Sequence, residues 1–251
     1  MSREIWPQNG LHSQGQMLKI NNNFSETRFA GTRSGVVRIF GAKGVDVTFE
    51  HPTPTELTST IFIINKGLLV TVGDGQSLYL WDLRPVKPVL LHTLRFTERV
   101  SHIYSPVDSE WLYVGTEKGN IHIVQLLNFL LSSYTIHWNK AIELSCRSRP
   151  GKICQIEENP TDSNKLLIGF ESGYLVSWNI SEKIAETRYR CHAELTCIFW
   201  HHEGKQFMTG HRDGLIAIWN VKSTEPTAKF NPHQDEKESE ADRVRLVLLC
   251  R

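Results

Sequence analysis

The sequence predicts an all-β fold: a WD-repeat β-propeller of about five four-stranded blades plus one strand, forming an incomplete, open ring. Three observations lead there. Five segments share an apolar run, a polar turn and an alternating strand: residues 28–40 (RFAGTRSGVVRIF), 69–81 (LVTVGDGQSLYLW), 112–124 (LYVGTEKGNIHIV), 166–178 (LLIGFESGYLVSW) and 207–219 (FMTGHRDGLIAIW). Their ends lie 41, 43, 54 and 41 residues apart, and three of these intervals fall in the roughly 40–45-residue range of the WD repeat. In the last strand Leu215, Ala217 and Trp219 share one face, and Ile216 and Ile218 the other. Side chains alternate on a strand, so apolar residues on both faces mark a sheet packed between two neighbours.

The elements follow in order. Residues 1–15 are polar, carry no strand signal and read as an irregular N-terminal segment. Residues 16–232 hold the blades, the first taking 17–20 as its inner strand. Further inner strands are expected near 58–64, 100–104, 153–156 and 195–200, and downstream strands near 45–49, 88–96 and 184–190. The turns inside the repeats use Gly31/Gly35, Gly115/Gly119, Gly169/Gly173 and Gly210/Gly214, and the dipeptides Asp74-Gly75 and Asp213-Gly214, because such turns need small residues or positive φ. The long interval implies an insertion of about 12 residues within 126–151, with a helical turn at 141–144. Residues 233–243 (HQDEKESEADR) form a charged loop, and 244–251 open a further, truncated blade. An open arc leaves its flanks uncovered, so Val36, Ile39, Leu246 and Leu248 are expected to be partly bare. The chain is therefore expected to be part of a larger protein.

Composition excludes several function classes. Lys and Arg number 28 against 27 Asp and Glu, a net charge of +1 with no basic stripe, so nucleic acid is not an expected partner. The longest apolar-rich run, 121–131, is interrupted by His122, Gln125 and Asn128, whereas a spanning helix needs about 20 mostly apolar residues. Five cysteines without metal or redox spacing read as reduced thiols of a cytoplasmic protein. There is no nucleophile elbow, Walker loop or kinase set. Residues 73–78 share two glycines with a dinucleotide fingerprint but open a strand rather than a helix. The sequence reads as non-enzymatic, with no cofactor and no metal. Among His192, His201, His202 and His211, the adjacent pair at 201–202 lacks the helical i, i+4 spacing of metal ligands, and adjacent strand residues point to opposite faces.

The runs 138–145 (WNKAIELS), 111–120 (WLYVGTEKGN), 200–208 (WHHEGKQFM), 165–169 (KLLIG) and 44–46 (GVD) resemble the tomosyn branch of the lethal giant larvae family. The resemblance covers roughly residues 27–232 and includes the long interval. It implies a cytosolic protein of two propellers with a C-terminal R-SNARE-like segment that pairs with syntaxin and its partner SNAREs and blocks vesicle fusion. For this chain it implies an interaction scaffold that contacts syntaxin and other SNARE proteins. Its expected place is the cytoplasm, with recruitment to the plasma membrane or secretory vesicles and at most a peripheral membrane contact. The alternative is the polarity branch, acting at the cell cortex with myosin II.

The repeat pattern assigns structural roles to Trp81, Trp178 and Trp219. In the WD pattern His192 precedes an inner strand and is expected to join Thr196, Asp213 and Trp219 in a hydrogen-bonded chain. Trp111 and Trp138 lie at strand edges and are candidate interface anchors, since aromatic residues are enriched at binding hot spots.

Overall fold

Short apolar strands joined by tight turns pair with their sequence neighbours, so each repeat closes on itself as one antiparallel sheet. The computed structural model describes residues 28–40, 46–142 and 149–232. The first sheet contains β1 (Arg28–Gly31), β2 (Val36–Phe40) and β3 (Asp46–Glu50). The second is β4 (Leu57–Ile63), β5 (Leu68–Gly73), β6 (Ser77–Asp82) and β7 (Val89–Arg95). The third is β8 (Val100–Tyr104), β9 (Trp111–Thr116), β10 (Ile121–Gln125) and β11 (Leu130–Ile136), followed by helix α1 (Trp138–Ile142). The fourth is β12 (Ile153–Asn159), β13 (Asp162–Phe170), β14 (Tyr174–Asn179) and β15 (Ile184–Arg190), and the fifth is β16 (Leu195–Trp200), β17 (Gln206–His211), β18 (Ile216–Asn220) and β19 (Pro226–Phe230). These are propeller blades, numbered 1 to 5 below. The expected strand at 17–20, the charged loop 233–243 and the strand at 244–251 lie outside the described residues.

One expectation is corrected. β11 occupies part of the stretch read as an insertion, so the inserted residues begin after Ile136. This outermost strand is no more exposed than β7 and β15; the extra residues of the long interval follow it directly, so the spacing alone does not say where the insertion begins. The helical turn starts at Trp138, three residues before the expected one.

The hydrophobic core is divided. Four clusters of buried side chains lie between successive blades, each drawing on two neighbouring sheets: Val37 with Leu69 and Trp81, Val70 with Val114 and Val124, Tyr113 with Ile156 and Trp178, and Leu167 with Phe207 and Trp219. The inner strands touch in the order β4, β8, β12, β16, and β1, the counterpart of β5 in its repeat, touches β4. Among the described residues no buried cluster joins the first sheet to the fifth, and the arc they form is open. The repeat shows the consequence. The last residue of the repeat segment is buried at Trp81, Val124, Trp178 and Trp219, but Phe40 is 41% exposed. Eleven residues before that position, Val70, Tyr113 and Leu167 are buried, but Met208 is 39% exposed. Phe40 and Met208 thus mark the two bare flanks. Ile39, expected to be partly bare, is partly buried against the cluster between blades 1 and 2.

Gly173 shows why the turns demand glycine. Its φ is +84°, and a Cβ there would run into the carbonyls of Cys191 and Ala193. The same carbonyl side of Gly173 receives the Cys191 N–H at 2.9 Å, tying the turn to the chain that leads into blade 5.

Candidate functional site

Two blades share a Trp–Thr–His chain, which in blade 5 continues to a backbone carbonyl and in blade 2 ends at His51, whose Nδ1 is buried without a hydrogen-bond partner among the described residues. In blade 5, β17 and β18 pair so that Thr209 lies opposite Ala217, two rungs from Trp219 on the same face, and Trp219 Nε1–H donates to Thr209 Oγ1 at 2.9 Å. His211 Nε2 lies 2.9 Å from the same hydroxyl, and its Nδ1 lies 3.1 Å from the Ala193 carbonyl. An indole N–H only donates and a carbonyl only accepts. With a neutral ring, the chain therefore runs Trp219 to Thr209, Thr209 to His211, His211 to Ala193. In blade 2, Trp81 Nε1–H donates to Thr71 Oγ1 at 3.2 Å, and His51 Nε2 lies 3.1 Å from that hydroxyl. All six side chains are buried. Burial holds the His51 pKa down at about 4, so its ring is neutral at physiological pH.

This arrangement corrects the expected chain. His192 is exposed, Thr196 donates instead to the Gly210 carbonyl at 2.9 Å, and Asp213 accepts from the Leu215 N–H within its own turn. The histidine positions differ between the blades: His51 comes from the end of the preceding blade, His211 from the end of β17. The signal available in the sequence was a threonine ten residues before the tryptophan, present at Thr71/Trp81 and Thr209/Trp219. Blade 4 lacks it. Ile168 stands ten residues before Trp178, and Trp178 Nε1 is buried without a hydrogen-bond partner among the described residues. Blade 3 has Val114 and Val124 at these positions. Its polar anchor is Glu98, which accepts from Thr116 Oγ1 at 2.7 Å and lies 3.5 Å from Lys118.

The remaining candidates separate. Trp111 is exposed at the start of β9, whereas Trp138 is half-buried in α1 and packs against the cluster between blades 3 and 4. The rings of His201 and His202 lie 4.2 Å apart rather than on opposite faces, because both residues sit in the turn after β16. Among the described residues no group of three His, Cys, Asp or Glu is placed to hold a metal.

On one face of the arc the starts of β8, β12 and β16 surround a cavity of about 370 Å³. Ser101, Cys154, Lys152, Glu171, Glu194 and Arg212 line it. Lys152 pairs with Glu171 at 3.2 Å and Arg212 with Glu194 at 3.0 Å. The same pairing recurs at Arg99–Glu117. These pairs are half-exposed, so each contributes only ~0.2–1 kcal/mol. The floor is closed by Ser101, which donates to the Ile153 carbonyl at 2.8 Å, and by Cys154, which donates to the Leu195 carbonyl. Burial pushes the Cys154 thiol up to about 12, which leaves it protonated and a poor nucleophile.

Comparison with known proteins agrees with this architecture. The WD domain, G-beta repeat, family matches residues 184–220. The chain is similar to LLGL scribble cell polarity complex component 2 of Mus musculus, at 31% identity over 212 residues, covering 77% of this chain and 21% of that protein. It is similar to the Lethal(2) giant larvae protein of Drosophila melanogaster, at 26% identity, covering 80% of this chain and 18% of that protein. It therefore spans about a fifth of the length of these curated relatives. A chain in the crystal structure of the mitotic checkpoint complex shares the fold, with a TM-score of 0.67 at 16% identity over 83% of this chain and 62% of that one.

Proposed function

We propose, from homologues that are lethal giant larvae proteins of the WD-repeat family, that this chain is part of a non-enzymatic scaffold that assembles polarity proteins at the cell cortex. The carrying observation is the similarity to a polarity complex component across 77% of the chain, far beyond the single repeat at 184–220. The architecture suits the role. Buried cores between blades hold neighbouring sheets together, and the turns at both ends offer side chains to partners. On this reading Trp81, Trp178 and Trp219 hold the blades together and contact no partner. No helix among the described residues is long and apolar enough to cross a membrane.

A second reading rests on the runs 111–120, 138–145 and 200–208, which resemble tomosyn and favour syntaxin and other SNARE proteins as partners. Depletion in polarised epithelial cells, followed by re-expression of the whole protein, separates the two. Loss of cortical polarity markers with normal secretion supports the polarity scaffold. Intact polarity with altered regulated secretion, and co-purification with syntaxin, overturns it in favour of the second reading.

A further inference from the structure

The repeated blades provide internal controls for one surface. In four blades the chain leaving the third strand is closed by an equivalent backbone bond: Leu83 N–H to Gly67, Leu126 N–H to Glu110, Ile180 N–H to Asn164, and Val221 N–H to Lys205, all between 2.8 and 3.0 Å. The residue after the donor is therefore equivalent in each. It is Arg84 in blade 2, Ser181 in blade 4 and Lys222 in blade 5, but Leu127 in blade 3. The residue after each acceptor in blades 3, 4 and 5 is Trp111, Lys165 and Gln206. Blade 3 thus presents apolar side chains where blades 4 and 5 present polar ones. Leu127 is 80% exposed, Trp111 40% and Val107 in the β8–β9 turn 65%; Leu130, 60% exposed, adds to this surface at a position where blades 2 and 4 also expose an apolar residue, Val89 and Ile184.

The hairpin is built to hold them outward. Phe129 adopts φ +53°, a conformation that a bulky residue takes only at a cost. It does so with its side chain buried, beside the equally buried Leu126 in the core between blades 2 and 3. Asn128 donates to Gln125 Oε1 and accepts from the Leu130 N–H, fixing the turn between these anchors. Trp111, Gln125 and Leu130 are opposite one another across β9, β10 and β11, so they share one face. The neighbouring β8–β9 turn is braced by Asn65, which donates to Asp108 Oδ1 at 2.9 Å, and by Lys66, which donates to the Ser109 carbonyl at 2.9 Å. Glu110 is exposed beside Trp111, and neither it nor Asp108 has a Lys or Arg ion-pair partner among the described residues. The Lys66 ammonium sits at Ser109, between these two residues in sequence, so the margin sets two carboxylates against one ammonium beside an apolar centre.

We propose that this end of blade 3, centred on Trp111, Leu127 and Leu130, is a docking surface for an amphipathic protein segment that presents apolar side chains next to lysine or arginine. The exposed aromatic residue and leucines supply the apolar anchor, and Asp108 and Glu110 select the basic margin. The inference stands on the blade comparison and is independent of which family partner is engaged.

The test uses the full chain and two fluorescein-labelled amphipathic helical peptides, one of leucine and arginine, the other of leucine and glutamate. The leucine–arginine peptide is expected to bind more tightly than its partner. Leu127→Ser and Trp111→Lys, which install the residues of blade 4, should each weaken binding about tenfold, as for loss of an interface anchor. Val86→Asp, on the exposed hairpin of blade 2, should leave binding unchanged. Glu110→Lys should shift preference toward the leucine–glutamate peptide. Unaltered melting of Leu127→Ser confirms that binding alone is being read. Equal affinity for both peptides, equal loss with Val86→Asp, or binding indifferent to Leu127→Ser overturns the proposal. So does a chain that self-associates through this face and ignores both peptides.

Discussion

Blades 5 and 4 carry a tryptophan at the same repeat position and use it differently. Trp219 is the end of a polar thread: its indole donates to Thr209, and Thr209 meets His211. Trp178 is equally buried, but Ile168 stands where the threonine would be, and its indole nitrogen has no partner among the described residues. Blade 2 repeats the pattern of blade 5 with Thr71, Trp81 and His51. The tryptophan alone therefore does not define the blade. The residue ten positions earlier decides whether the indole is a hydrogen-bonded keystone or an apolar filler with an unmet donor.

The comparison is broken most severely at Trp219. Trp219→Ala should lower stability by ~3–5 kcal/mol, since it removes a fully buried large aromatic residue and strands Thr209 and His211. Urea unfolding measures this, and a loss below 1 kcal/mol would contradict the thread. Next in size is acidification. The folded His51 ring has a pKa of about 4 against an ordinary 6.5, so the unfolded chain binds a proton that the folded one refuses. The stabilisation is complete above pH 6.5 and is lost as pH falls toward 4. Its upper limit is about 3 kcal/mol, at 1.36 kcal/mol per unit. His51→Asn should flatten that stretch of the stability–pH curve, and an unchanged slope would remove His51 as the cause.

Smaller substitutions sharpen the contrast between blades. Thr209→Val keeps the shape but leaves the indole and His211 unpaired, and should cost ~1–3 kcal/mol. Ile168→Thr in blade 4 offers Trp178 Nε1 an acceptor and should cost less than the same loss of apolar bulk elsewhere in the core. The smallest effect is expected at Trp178→Phe. It removes an indole that already lacks a partner, so its cost should fall below that of Trp219→Phe by about one hydrogen bond, ~1 kcal/mol. Hydrogen exchange in β14 and β18 localises both changes. Equal costs at the two positions would show that the thread adds nothing beyond packing.

The strands of the propeller were legible because each repeat obliges its strands to be apolar on both faces and its turns to carry glycine. The spacing of the segment ends at 40, 81, 124, 178 and 219 was enough to count the blades. β11 escaped because the extra residues of the long interval follow it directly and the spacing did not say where they begin; β7 and β15, outermost and equally exposed, were expected. The tryptophans were legible as core for the same reason that they recur. Their hydrogen-bond partners were not, because His51 and His211 reach one geometry from different backbone positions, and His192 occupied the place that the repeat pattern suggested.

The sequence by itself determined the all-β class, the repeat, the blade number and the positions of the buried tryptophans, all consequences of local alternation and turn chemistry. Only the tertiary structure decided which histidine meets which threonine, which flank residues stay bare, and that Leu127 and Trp111 point to solvent. Those outcomes depend on neighbouring blades. Phe40 and Trp219 sit at one repeat position, yet one is exposed and the other buried, because only the second has a sheet packed against its face.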